Sequence, residues 1–416
     1  MREPTRVEDV DLYDPATQQD WYPTYDLLRA QAPVYRVPDT RMFVVTRYRD
    51  VVEVLRRTDL FATGTPMFRH DAARRVFAER GWPRATPLST NPPEHRHYRD
   101  LVDRFFDASG AARWTSLIEG TLAECLDPMV PRGHGELVGD LALPLPVAVI
   151  TRILGFAVED TDRLKRWSEA WVMPFAGGLT EEQEVWVAEE GVAFQHHIHE
   201  VATAKRAEPG DDVISALVHA RLDGERSLTD GEIVSIVDHL FIGGNETTTF
   251  ALTSAVWILL REPGLYRRVL EDRSLMPRLV EEALRLESPT QGLFRVVTRD
   301  TELGGVALRA GSVVHVRYGA ANRDPETFAD PACVDLGRDN ASRHLAFSLG
   351  EHHCPGAGLS RLEQRLALDA ILDRLPDLRL APGQDLSHEP GFVLRALGAL
   401  HLEFSPDTRQ AGHPPG

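Results

Sequence analysis

One cysteine stands where metal chemistry is possible. The stretch Phe347-Ser348-Leu349-Gly350-Glu351-His352-His353-Cys354-Pro355-Gly356-Ala357 puts Cys354 in a glycine-framed loop, just before a run in which Leu359, Leu362 and Leu366 share one helical face. A helix N-terminus offers partial positive charge and free N–H groups, which favour a thiolate, and a thiolate there can ligate a metal. Gly350 permits a turn that a Cβ would obstruct, and Gly356 lets backbone approach a flat partner. Phe347 offers an aromatic lid beside the sulfur, and His352 turns a donor towards an anion. A buried cysteine acting as a small hydrophobe is the competing reading. Zinc fits poorly, because it wants about four protein ligands and no second cysteine lies nearby.

A second constellation is Gly243-Gly244-Asn245-Glu246-Thr247-Thr248. Two adjacent glycines weaken a helix by about 1 kcal/mol each, so their place inside an apolar helical run asks for a reason. A flat ligand lying against the backbone supplies one. Glu246 and Thr247 can relay protons to something bound in that groove, with threonine loosening the local hydrogen-bond ladder. A helix kink with a solvated glutamate is the alternative. His95 and Arg99, four apart, form either a two-donor anion clamp or a plain surface pair. Glu282 and Arg285 are an acid and a base three apart, a spacing that most often decorates a surface.

Long helices must position these groups. Thr229-Asp230-Gly231-Glu232 is a capping box, opening a helix that runs to about Arg261 before Pro263 stops it. At ~1.5 Å per residue that helix is roughly 50 Å long, enough to cross a domain. Asn91-Pro92-Pro93-Glu94-His95 starts another, since proline is tolerated in a first turn and an acid suits its positive end. Residues 276–287 predict a third. Between 111 and 206, helical periodicity with breaks at Pro131, Gly135 and Gly177-Gly178 predicts a helix-rich body, with a cover at 173–180. Residues 22–32 and 48–57 are expected as helices around strands at 34–37 and 42–46, a small β-rich lobe. Residues 288–298 read as a strand lining a pocket. From 60 to 90 the pattern dissolves into a lid-like loop, where Arg69, Arg74, Arg75, Arg80 and Arg84 face only Asp71 and Glu79.

The loop pattern F-x-x-G-x-H-x-C-x-G-A resembles the heme-binding signature of the cytochrome P-450 family, the heme-thiolate monooxygenases. Ser348 stands where that family usually has glycine. The long helix is similar to the family's central helix with its small-Gly-x-acid-Thr motif, with Asn245 where histidine is common. The His95/Arg99 pair, Glu282-x-x-Arg285 with Pro289, Arg295 and Arg338, Ala321-Asn322-Arg323-Asp324-Pro325 and Arg343-His344-Leu345-Ala346-Phe347 also resemble family sequence, so the likeness runs from about residue 14 to 404. It implies a mainly α cytochrome P-450 fold, a triangular helical body with a small β-rich lobe. One heme-thiolate monooxygenase domain would cover 1–407, its β lobe about 14–60 plus C-terminal strands, followed by a frayed tail at 408–416.

The same resemblance implies one noncovalent heme b (iron protoporphyrin IX), since no C-x-x-C-H is present for covalent attachment. Cys354 would be the axial iron ligand. His95, Arg99 and Arg295 would meet the propionates, with Phe347, Gly350, His352 and Gly356 forming the cradle. Gly244 would mark the oxygen-binding groove, Thr247 would serve the dioxygen, and Glu246 would deliver protons. Glu282, Arg285 and Arg338 would lock together structurally near the loop. Phe241, Leu293, Phe294 and Phe392 are the expected substrate pocket.

The implied reaction inserts one atom of dioxygen into a C–H bond of a small to medium hydrophobic molecule. A carboxylate on that molecule is suggested by the arginines between 69 and 84. Electrons would come from a separate ferredoxin and ferredoxin reductase, because Gly356-Ala357-Gly358-Leu359-Ser360-Arg361 fails the dinucleotide fingerprint. Arg104, Arg343, Arg361 and Arg365 are expected to form the docking face. Two alternatives stand beside this reading: a heme-thiolate peroxygenase or non-turnover heme-binding protein, and a serine hydrolase. In the second, Ala346-Phe347-Ser348-Leu349-Gly350 approximates a nucleophile elbow at Ser348, with His388 and His401 downstream.

Composition agrees with an enzyme of this kind. Hydrophobic residues at 43% supply a core, 26% charged residues are ordinary, and a net charge of -17 argues against nucleic acid as a partner. The scattered Cys125, Cys333 and Cys354 fit a reducing cytosol, hence a cytoplasmic location. No signal peptide is expected from the polar, acidic residues 1–14. The one long apolar run, 240–260, carries Glu246, and a charge is costly in lipid, so no membrane anchor is expected. A monomer is expected.

Overall fold

The computed structural model describes residues 4–64, 69–82, 87–176 and 178–406, with main chain only at 175 and 176. Met67, Phe68, Arg84 and the tail at 408–416 therefore lie outside the described residues. Helices dominate: α1 Asp71–Arg80, α2 Glu94–Phe106, α3 Pro144–Leu154, α4 Thr161–Ala176, α5 Glu181–Ala207, α6 Asp230–Arg261, α7 Met276–Leu286 and α8 Ala357–Arg374.

The axis is α6. Glu232 N donates to Thr229 Oγ1 at 3.2 Å while Thr229 N donates to Glu232 Oε2 at 2.7 Å, so the capping box forms reciprocally. Apolar residues on every side of α6 pack it into the core against α3, α4, α5, α7 and α8. A helix apolar all round is a core helix, and among the described residues none is long and apolar enough to cross a membrane.

Five strands make the β lobe: β1 Val34–Arg36, β2 Met42–Val45, β3 Phe61–Ala62, β4 Gly292–Val297 and β5 Val313–Arg317, in the order β1-β2-β5-β4-β3. The lobe thus takes two strands from 292–317, beyond the expected 14–60. The C-terminal strands do not join it: His401–Glu403 pairs with Arg379–Leu380 on one side and His134–Glu136 on the other, in a separate sheet. In β4 the two-residue period sets Leu293 and Arg295 on one face and Phe294 on the other.

The stretch expected to dissolve between 60 and 90 contains α1, which the glycines and prolines around it obscured. Arg74 pairs with Asp71 one turn earlier, Arg80 donates to Glu189 of α5 at 3.0 Å, and α1 lies along α5.

Candidate functional site

The Cys354 loop is closed by its own main chain. Cys354 N donates to the Phe347 carbonyl at 2.9 Å and Ala357 N to the Cys354 carbonyl at 3.3 Å. Gly350 has φ +77°, and a Cβ there would meet the Leu55 carbonyl at 3.0 Å, so glycine is required twice over. Burial pushes the thiol pKa up, against the N–H groups of Gly356 and Ala357 and the charges of Arg99 and Arg361. The helix terminus alone therefore does not secure a thiolate. A cation on the sulfur would, because coordination deprotonates a thiol.

Facing this loop, α6 exposes one narrow strip. Gly243 is accessible and Thr247 partly so, with His239 one turn earlier on the same face, while Ile242, Asn245, Glu246 and Thr248 are buried. A Cβ at Gly243 would have nothing within 4 Å, whereas one at Gly244 would meet Ile150 of α3 at 3.1 Å. The open position is thus Gly243, and Gly244 serves helix packing, a correction of one residue in helical phase. Thr247 Oγ1 donates to the Gly243 carbonyl at 3.0 Å, the loosened ladder expected of threonine. Glu246 turns inward: the Ser168 hydroxyl lies 3.2 Å from its Oε1 and 3.0 Å from Asn245 Oδ1. Burial pushes its carboxyl pKa up, so the solvated-glutamate alternative does not hold. Thr248 Oγ1 donates to Ser360 Oγ at 3.3 Å, tying this part of α6 to the start of α8.

Beside the loop, donors gather. The His95 and His352 rings lie 4.2 Å apart; Nε2 of His352 is buried without a hydrogen-bond partner among the described residues, and the His95 nitrogens are buried with only a weak contact to the Leu88 main chain. Burial pushes both imidazoles down, His352 to about 3, so both are neutral. Arg295 is buried, donates to the Phe294 carbonyl at 2.8 Å and has no carboxylate partner among the described residues. Arg99 is more committed. Its Nε donates to Asp103 at 2.6 Å and its Nη1 to the carbonyls of His353 at 2.8 Å and Glu351 at 3.3 Å, so it braces the loop.

A sequence profile of the cytochrome P-450 family matches residues 192–398. Nocardicin C N-oxygenase of Nocardia uniformis subsp. tsuyamanensis is 36% identical over 388 residues, covering 91% of this chain and 94% of that protein. Steroid C26-monooxygenase of Mycobacterium tuberculosis is 32% identical over 405 residues, covering 97% of this chain and 98% of that one. The chain belongs to the cytochrome P-450 family. Solved structures agree: a Bacillus megaterium cytochrome P-450 in complex with testosterone superposes with a TM-score of 0.81 at 30% identity, covering 92% of this chain and 99% of that one.

Heme b is the cofactor of a cytochrome P-450, and the residues present fit it. Buried, under-satisfied nitrogens on His95 and His352, beside an Arg295 with no carboxylate among the described residues, suit a porphyrin's two propionates. The strip of α6 around Gly243 leaves room against the backbone for a flat ring. Cys354 offers the one sulfur at this loop.

Glu282, Arg285 and Arg338 do come together, in the interior rather than on a surface. Arg285 Nε donates to Glu282 Oε1 at 2.7 Å and Arg338 Nε to the same oxygen at 3.0 Å. Both members of the Glu282–Arg285 pair are fully buried. Arg285 also donates to the carbonyls of Asn322, Pro331 and Cys333, which satisfies the remaining guanidinium hydrogens.

Several expectations do not survive in this cytochrome P-450. Phe241 is fully buried against Phe156 and Phe194 in the helical core. Phe294 and Phe392 stack on one another in the β-lobe core, on the strand face away from Arg295. Of the four pocket residues Leu293 is exposed, at 36%, Phe294 is half-buried, and Phe241 and Phe392 are buried. Arg361 clamps Glu281 at 2.6 and 3.1 Å and lies over the Phe347 ring, a fold contact that leaves 34% of its side chain exposed. The described arginines between 69 and 80 do not converge on one anion, because Arg74 and Arg80 pair with Asp71 and Glu189. The hydrolase reading also falls: the Ser348 hydroxyl accepts from Tyr318, while His388 lies against Glu287 and Trp257. Sequence reasoning passed over Ser168, His239 and Tyr318. Only His239 gave a usable signal, a polar residue four before Gly243 in an apolar run.

Proposed function

We propose that this cytochrome P-450 is a monooxygenase that inserts one atom of dioxygen into a C–H bond of a small to medium hydrophobic molecule. Electrons would come from a separate ferredoxin and ferredoxin reductase, and the described chain would act as one heme-thiolate domain. The observation that carries the reading is the division of α6, with Gly243 and Thr247 on the open strip and Glu246 one residue away, buried with its carboxyl pKa raised.

Heme, when bound, would supply oxygen activation, and a cysteine thiolate holding its iron would favour O–O cleavage. Cys354 would hold the iron; His95, His352 and Arg295 would hold the propionates, with Arg99 fixing the loop beside them. The protein's own part is then proton handling. Thr247 holds its hydroxyl at the Gly243 carbonyl on the open strip. Glu246, next in the chain to Thr247 and turned towards Ser168, has its carboxyl pKa raised because burial disfavours the anion, which suits it to hand on a proton as a general acid.

Leu293 favours an apolar substrate, as do relatives named for steroid and mycinamicin oxidation. Arg74 and Arg80 of α1 are already paired, which weakens the case for a carboxylate on it. Exposed Arg104 and Arg343, with Arg365 half-buried on α8, remain as cations for an acidic redox partner. None of the three cysteines is in a disulfide, which favours a reducing compartment, the cytoplasm.

The test is the reduced holoprotein under carbon monoxide, compared with Cys354→Ala. A thiolate-type Soret band is expected for the parent and not for the variant, and a variant that keeps it would refute the assignment. Oxygen uptake that requires ferredoxin and reductase separates this reading from a peroxygenase, which would turn over on peroxide alone.

A further inference from the structure

We infer that Tyr318 and Ser348 form a positioning pair that holds the Cys354 loop in shape. Ser348 occupies the left-handed region at φ +61°. The other described non-glycine residues with positive φ are Asp39, Asp223, Asp330 and Asp377, and aspartate visits that region more readily because its side chain bonds locally. Serine there carries a conformational penalty that glycine would not. Something outside the loop must therefore keep the residue in place.

The Tyr318 hydroxyl does so. It donates to Ser348 Oγ at 3.1 Å, and both side chains are buried. The bond falls at a sensitive point. Ser348 directly follows Phe347, whose carbonyl accepts from Cys354 N, and Ser348 N itself donates to the Leu345 carbonyl at 2.8 Å. A change of backbone at Ser348 would move the carbonyl that anchors the cysteine.

Tyr318 is also well placed to act as a fixed support. It opens the helical turn Tyr318–Ala321 at the end of β5, and Asn322 ends that turn. Asn322 Oδ1 accepts from Leu345 N at 2.6 Å, its Nδ2 donates to Ser288 Oγ at 2.7 Å, and its carbonyl accepts from Arg285 at 3.0 Å. The segment 318–322 thus grips the cysteine loop at Leu345 and at Ser348, and is itself anchored to the buried Glu282–Arg285 pair. A tyrosine whose hydroxyl is merely satisfied in the core would need no strained partner.

The inference rests on Cys354 being the heme ligand, and its test keeps the two claims apart. Parent holoprotein, Tyr318→Phe, Ser348→Gly and the double variant are compared as reduced carbon monoxide complexes in rising urea, reading the ratio of thiolate-ligated to thiolate-lost Soret bands. Absence of a thiolate band in the parent would sink the ligand assignment before the comparison begins. Given that band, Tyr318→Phe should shift the ratio about five-fold towards the lost form, the effect of one ordinary hydrogen bond. In the Ser348→Gly background the same change should do nothing. Ser348→Ala, which keeps the strain and loses the hydroxyl, should be at least as impaired as Tyr318→Phe. Equal shifts in both backgrounds, or no shift in either, would overturn the pair. Far-ultraviolet unfolding of the same samples separates global loss of fold from loss of the thiolate.

Discussion

The Ser168 hydroxyl on α4 lies 3.2 Å from the Glu246 carboxyl on α6. It joins α4 to the buried acid that adjoins Thr247 on the central helix. Burial raises the Glu246 pKa, the Ser168 bond opposes that rise, and Glu169 and Lys165 add smaller effects of opposite sign.

Glu246 should therefore stay protonated to higher pH than a solvated glutamate, and Ser168→Ala should move its midpoint higher still. Infrared titration of the carboxyl C=O band in the holoprotein checks this, with Glu246→Gln to assign the band; loss of the band in the ordinary glutamate range would rule it out. The sign for stability follows from proton counting. A folded-state pKa above the unfolded one means that the folded form binds more protons, so this group's contribution falls as pH rises from the unfolded value through the folded one. Thermal unfolding should show Glu246→Gln gaining on the parent towards alkaline pH. Product formation should fall roughly 10²-fold in that variant.

Glu282→Ala should be among the most damaging substitutions in the chain. It would strand two guanidinium groups, Arg285 fully buried and Arg338 nearly so, which costs about 3–5 kcal/mol. Because Arg285 also holds the Asn322 carbonyl, the cysteine loop should loosen with it. Heme-to-protein ratio and urea midpoint should fall together. A full heme complement at an unchanged midpoint would contradict the structural role.

Much of the machinery was legible because residue type alone narrowed the choice. Thr229 and Glu232 announce a cap, the glycines around Cys354 announce a turn, and Gly243-Gly244 announce a helix built for something other than propensity. Direction was not legible. A phenylalanine is equally apt for a cavity wall and a core, so Phe241, Phe294 and Phe392 could be assigned only once their neighbours were known. Which of two adjacent glycines faces outward depends on a helical phase set by Ile150, far away in sequence. Arg361 looked like a surface cation because the spacing from Glu281 to Arg361 carries no local period. Ser168 is an ordinary residue in an amphipathic helix, and its importance arises only from what α6 brings beside it.

Arg361→Glu should act through the fold rather than through partner docking. Burial would raise the Glu281 pKa, but bonds from His344 and Arg361 overcome it and hold the carboxyl at about 2. That stabilisation is present above the ordinary glutamate range and lost as pH falls towards 2. Arg361→Gln should weaken it, so the variant should differ most from the parent near neutrality and converge with it in acid. Arg361→Glu adds like-charge repulsion and should lower the melting temperature further. In contrast, Arg104→Glu and Arg343→Glu should leave melting unchanged and slow reduction by an acidic ferredoxin by about 10-fold at low salt, an effect that fades as salt rises. Stopped-flow reduction beside calorimetry distinguishes the two classes. Slower reduction in Arg361→Gln at an unchanged melting temperature would restore it to the docking face.

The glycine pair gives the cleanest comparison, because neighbouring residues in one helix should respond oppositely. At Gly243 a methyl group meets nothing within 4 Å, so alanine should add helix propensity, about 1 kcal/mol, and raise the melting temperature. The same methyl narrows the strip beside Thr247, so carbon monoxide binding to the reduced heme should slow. At Gly244 the methyl meets Ile150 side-chain atoms at 3.1 and 3.2 Å, a contact that offsets the propensity gain. Gly244→Val, bulkier and β-branched, should destabilise by about 1–3 kcal/mol through overpacking between α3 and α6. Ile150→Ala should relieve part of that loss in the double variant, since the clash is with that side chain, and carbon monoxide rates in Gly244→Ala should stay near those of the parent. If Gly244→Ala slowed carbon monoxide and Gly243→Ala did not, the open position would belong at 244 and the helical phase assigned to the groove would be wrong.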